Sequence, residues 1–137
     1  MTVYIFSIDN VAEHRALSKF LHHMDKEKAI GRMSGNLVQC VGSYKGKLEL
    51  SFIVNEADYD RHIEGSRWIR EQECVLSVTE CNKAYATLIY SNGEKVGIGS
   101  LKSVDKDRAL QEDAWTYRPD LDIYWISVQG NPDTVKG

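Results

Sequence analysis

The sequence predicts an α+β fold of ferredoxin-like type: a βαββαβ core, a mostly antiparallel sheet carrying two amphipathic helices, with additional C-terminal strands. Three observations predict it. The first is the order of the patterns: a β-type run, a helical stripe, two β-type runs joined by a tight turn, a second helical stretch and a further β-type run. The second is the strict alternation from Leu48 to Val54, which gives one strand a fully apolar face and a more polar one. The third is the surplus of β-type sequence after Tyr90, which in such cores often pairs with a neighbouring subunit.

Val3 to Ser7 reads as the first strand. Asn10 suits a helix N-cap, with Glu13 three residues on completing a capping-box-like pair. Leu17, Phe20, Leu21 and Met24 then form the helix's apolar stripe, and Gly31 stops it. Asn36 to Tyr44 is β-rich, Lys45-Gly46-Lys47 is a tight turn, and Leu48 to Val54 is the clearest strand. Asn55 caps a second helix with Asp58 at the third position, and this helix carries Tyr59, Ile63, Trp68 and Ile69. Cys74–Thr79 and Tyr85–Tyr90 are β-type, Asn92-Gly93 turns the chain into a strand near Val96–Leu101, and Asp122–Gln129 is a last strand. Asp105–Trp115 fits at most one helical turn.

At 137 residues the chain suits a single domain over residues 1–130, with a flexible tail at 131–137. The formal net charge of −3 supplies no basic stripe for nucleic acid. No apolar run approaches the roughly 20 residues of a membrane span, and the opening residues lack the basic region of a signal peptide. Cys40, Cys74 and Cys81 cannot all pair within one chain, which points to free thiols in a reducing, cytoplasmic setting.

Neither a metal nor a cofactor is expected. His22 and His23 are adjacent, hence about 100° apart on a helix; neither has a partner at i+4, and Cys74 and Cys81 lack CxxC spacing. Gly93, Gly97 and Gly99 read as a hairpin with small residues in a strand, not as a dinucleotide fingerprint. No nucleophile elbow occurs.

The carboxylates carry more. Glu49 lies in the best strand on the face opposite Leu48, Leu50 and Phe52. In a monomer that face is wet; in an oligomer of facing sheets Glu49 would be enclosed and would need a cationic or hydrogen-bonding partner. Glu80, ending the next strand, shares the ambiguity. Tyr44 could orient a ligand carboxylate or simply pack. Glu71 and Glu73 close the second helix and read as solvent-facing.

Gly42-Ser43-Tyr44, Glu71-Gln72-Glu73-Cys74-Val75-Leu76 and Ala86-Thr87-Leu88-Ile89-Tyr90 resemble the small phage proteins that degrade S-adenosylmethionine, long called SAM hydrolases and now regarded as SAM lyases. The resemblance covers roughly residues 37–92. It implies a PII-like homotrimer with active sites between subunits. It also implies conversion of S-adenosylmethionine to 5′-methylthioadenosine and homoserine lactone, starving host methyl-dependent restriction of its cofactor. Carried onto this sequence, it makes Tyr44, Glu49 and Glu80 the catalytic set, with Ser43, Ser51 and Glu71 as substrate-binding residues. The hairpin between Tyr44 and Glu49 is shorter than the family pattern.

The chemistry suits so sparse a set. A sulfonium is already a good leaving group and the substrate's α-carboxylate is its own nucleophile, so orientation alone can supply up to ~7–11 kcal/mol. Two other readings stand beside it: a ferredoxin-like trimer or phage-type inhibitor that binds without chemistry, and a true hydrolase giving homoserine with Glu49 as general base.

Overall fold

The computed structural model describes residues 1–7, 14–64, 74–80 and 84–128. The chain begins with β1 (Thr2–Ser7), followed by α1 (His14–Ala29). Phe20 and Met24 of its apolar stripe are fully buried. Gly31, at φ +77°, ends the helix: its N–H donates to Lys28 O at 3.1 Å and that of Arg32 to Glu27 O at 2.9 Å. The expected Asn10–Glu13 cap lies outside the described residues.

β2 (Val38–Tyr44) and β3 (Lys47–Asn55) form a hairpin in register Gly42↔Glu49 and Cys40↔Ser51. Its two-residue turn places Lys45 and Gly46 at φ 54° and 78°, the twist that matches paired strands. Asn55 accepts a bond from Asp58 N at 2.8 Å and caps α2 (Glu56–Asp58), which runs on as a π-helical turn, Tyr59–Ile63. The buried Asp58 carboxylate in turn accepts Ser34 N at 2.8 Å and Gly35 N at 3.0 Å, pinning the loop after α1 to this cap. Trp68 and Ile69 lie outside the described residues.

The remaining elements are β4 (Cys74–Glu80), β5 (Ala84–Tyr90), β6 (Lys95–Val104), α3 (Lys106–Ala109), β7 (Trp115–Arg118) and β8 (Ile123–Val128). The eight strands close into an antiparallel barrel in the order β1-β3-β2-β7-β8-β6-β5-β4, with β4 pairing back onto β1. A register shift at Ala86/Thr87, beside Gly97 and Gly99 of β6, lets the β5–β6 pair bend. Among the described residues, no helix is long and apolar enough to cross a membrane.

Two cores result. Outside the barrel, Phe20 and Met24 of α1 and Tyr59 and Ile63 pack on Phe6, Phe52, Val54 and Val75. Inside it, Ile5, Cys40, Ile53, Val78, Ala86 and Trp125 form a second cluster. Each fully buried large apolar side chain contributes about 1.5–3 kcal/mol.

The ferredoxin-like reading is therefore corrected. The elements follow the expected order as far as β4, but the sheet is not left open with one wet face. The face opposite the helices curls shut on itself, because β5–β8 bridge the two edges that an open sheet would leave at β4 and β2. The PII-like trimer falls with it as the means of enclosing Glu49: the chain's own strands do this. β7, which pairs Val41↔Tyr117 and Gly42↔Thr116, is the strand missing from the sequence reading.

Candidate active site at the barrel mouth

Along each strand the pleat sends alternate residues inward. On β3 these are Ile53, Ser51 and Glu49, as their partners Ile5, Cys40 and Gly42 show. At one end of the barrel the inward residues cease to fill the lumen. A cavity of about 580 Å³ opens there, within the usual range for small-molecule sites.

The cavity has distinct sides. Leu76, Leu88, Ile98 and Leu101 form an apolar wall, and Trp125 supplies indole surface; the Trp115 ring, on the other face of β7, packs against Tyr124. Ser7, Ser51, Thr116 and Ser127 supply hydroxyls, and Glu49 a carboxylate. The exposed Lys45 and Lys47 stand at the hairpin rim. Gly42 matters through what it lacks. It lies directly across from Glu49, and a Cβ there would come within 3.2 Å of Ser51 Oγ. The missing side chain is space that a ligand beside Glu49 can use.

The mouth is held in shape by hydrogen bonds from the hairpin to the chain ahead of β7. Ser43 Oγ donates to Asp113 O at 3.0 Å and Gly46 N to the same oxygen at 3.1 Å. Ser127 Oγ donates to Ile98 O, tying β8 to β6. Deeper inside, burial pushes the Cys40 thiol up to about 12, Arg118 opposing weakly. Cys40 is thus a neutral thiol at physiological pH and no nucleophile.

The structure brings together three of the sequence-derived site residues. Glu49, Ser51 and Ser43 all line the cavity, the hydroxyl of Ser43 being engaged on Asp113. Tyr44 ends β2 opposite Lys47, at the same end of the barrel; its side chain lies outside the description. Glu71 lies outside the described residues. Glu80 is not with the others. It ends β4 at the opposite end of the barrel, exposed, its backbone exchanging bonds with Met1: N to Met1 O at 2.7 Å, and the Met1 ammonium to Glu80 O at 2.9 Å. Sequence reasoning missed Gly42, Thr116, Trp125 and Ser127 as site residues. Gly42 stood inside a noted motif, but its role depends on cross-strand partners.

Residues 7–128 match the model of the S-Adenosylmethionine lyase family. No curated protein matches the chain. With most of its length covered, the chain belongs to the S-adenosylmethionine lyase family, and is an enzyme of the lyase type acting on S-adenosylmethionine.

Proposed function

We propose that this member of the S-adenosylmethionine lyase family takes its substrate into the barrel mouth, sets Glu49 against the cationic methionine end, and cleaves it by attack of the substrate's own carboxylate. The observation that carries the reading is the placement of Glu49: a carboxylate at the edge of an otherwise largely apolar cavity, facing the space left by Gly42. S-adenosylmethionine carries two positive groups, the sulfonium and the α-ammonium, next to a flat adenine. A carboxylate suits the first two, and indole and aliphatic surface suits the third.

In the proposed reaction an oxygen of the α-carboxylate attacks Cγ while the Cγ–S bond breaks. The electron pair passes to sulfur, which leaves as the neutral thioether 5′-methylthioadenosine, and the remainder closes to homoserine lactone. No proton moves, so no general base is needed. Positive charge on sulfur is lost as the bond breaks, so Glu49 serves best by holding the ammonium, whose charge persists. The hydroxyls of Ser51 and Thr116 can orient polar atoms of the bound methionine end, and the carboxylate-orienting role proposed for Tyr44 is the one that the family resemblance implies. Enclosure limits access of water, which would compete with the carboxylate.

The reaction run in ¹⁸O-labelled water tests this. Lactone sampled before it opens contains no label, and later opening at the acyl carbon labels only the carboxylate. Early label in the γ-hydroxyl of homoserine would make the reaction a hydrolysis with Glu49 as base.

A further inference from the structure

A second cleft lies outside the barrel, between α1 and the π-helical turn that follows α2, and among the described residues shares no lining residue with the mouth. His23 and Glu27 are four residues apart on α1 and so project from one face. His62 reaches the same place from the π-helical turn. One potential ligand atom from each of the three lies within 4.8 Å of the other two. His23 Nε2 is 4.0 Å from Glu27 Oε1. Glu27 Oε2 is buried and, among the described residues, has no hydrogen-bond partner; Arg32 Nη1 stands at 3.7 Å. The carbonyl oxygen of Arg32 lies 3.2 Å from His62 Nε2 and accepts a hydrogen bond from Arg61 Nη1 at 3.2 Å, so it fixes the edge of the cleft beside the three side chains.

We infer that His23, Glu27 and His62 form a binding site for a divalent transition metal of the zinc class, clamping α1 to the segment after β3. Two imidazoles and a carboxylate are a donor set that zinc accepts, with one position left for water. The buried carboxylate oxygen, hydrogen-bonded by no described residue and held only by a long ion pair, favours a closer cation, because a poorly compensated buried charge is costly. Arg32 and Arg61 also line the cleft and oppose a dication. The Arg32 side chain is 62% exposed, however, and its long ion pair with Glu27 is of the kind worth ~0–1 kcal/mol. It can swing into water as the metal replaces it. Histidine spacing alone concealed the site: the partner at i+4 from His23 is Glu27, and His62 comes from a different element.

Zinc chloride added to the metal-free full-length protein, followed by equilibrium dialysis and metal analysis, tests the inference, with Co²⁺ absorption as a report on coordination. The expected result is one Zn²⁺ per chain and a Tm that rises with zinc. His62→Gln and Glu27→Gln should bind at least about tenfold more weakly. His22→Gln, an exposed neighbour outside the cluster, should bind like the wild type. Far-UV circular dichroism of each metal-free variant establishes that it is folded. Failure of the folded wild type to take up stoichiometric zinc, or equal binding by His62→Gln, would overturn the proposal. So would stabilisation by inorganic phosphate and not by zinc, which would assign the cleft to its arginines.

Discussion

The two ends of the barrel are built from the same strands and differ in what those strands point inward. At one end Val3, Val38, Ile53, Val78, Ala86 and Ile123 meet and pack. At the other, Ser7, Glu49, Ser51, Thr116 and Ser127 surround open space. β3 alone contains the whole gradient, from Ile53 through Ser51 to Glu49. An eight-stranded barrel has a lumen wide enough for side chains to fill or for one small ligand to occupy. Which of the two happens is decided residue by residue: bulky aliphatic groups close one end, while hydroxyls and the absent side chain of Gly42 leave the other open. The pleat positions the site, and the change in polarity along the inner face locates it.

The comparison breaks first where packing is tightest. Phe52 is 1% exposed and sits 5.3 Å from the Phe20 ring and 6.0 Å from that of Phe6, under α1. Phe52→Ala should cost ~3–5 kcal/mol of stability, measured by urea unfolding. Because Phe52 points away from the lumen, the fraction that remains folded should turn over at close to the wild-type rate. A folded but inactive variant would show that the helical layer and the mouth are coupled.

Glu49→Gln should do the reverse. The amide is nearly isosteric, so the unfolding midpoint should hardly move. A hydrogen bond to a charged group is worth ~1.5–3 kcal/mol, so kcat/KM should fall roughly 10- to 150-fold, read as 5′-methylthioadenosine by chromatography. Unchanged kinetics in this variant would remove the carboxylate from the proposed site.

Much of this was legible in the sequence, and the rest was hidden for identifiable reasons. Local patterns were sufficient for β1, the β2–β3 hairpin, the Asn55 cap and the Gly31 stop, because each depends on residues a few positions apart. Alternation was sufficient to put Glu49 and Ser51 on the face away from the helices. Trp115–Arg118 was not legible as a strand: four residues ending before Pro119 give only two inward positions, too few to show a period. Without β7 the β-type runs after Tyr90 had no place beside β2 and stood as surplus strands for a neighbouring subunit, and the polar face of β3 stood as one that only an oligomer would enclose. The error in fold class thus lay in treating β5, β6 and β8 as additions to a βαββαβ core, with β7 unread between them and β2. The same gap concealed Thr116 and the role of Gly42, which exist only through the β2–β7 pairing of residues more than seventy positions apart.

The smallest expected effect sharpens the comparison most. β1 is antiparallel to both β3 and β4, so β3 and β4 run in the same direction. Glu49 lies near the head of β3 and Glu80 at the tail of β4, so within one chain they belong to opposite ends of the barrel. A seven-residue strand spans about 20 Å, far beyond the reach of two side chains toward one small molecule. Glu80→Gln should therefore behave as an exposed surface change, within ~0.5 kcal/mol in stability and about twofold in kcat/KM. The double variant Glu49→Gln/Glu80→Gln should match Glu49→Gln alone to the same precision. If Glu80→Gln instead lost as much activity as Glu49→Gln, one mouth could not contain the whole site. The tail of β4 from another chain would then have to complete it, and size-exclusion chromatography with light scattering would have to find the active enzyme as an oligomer.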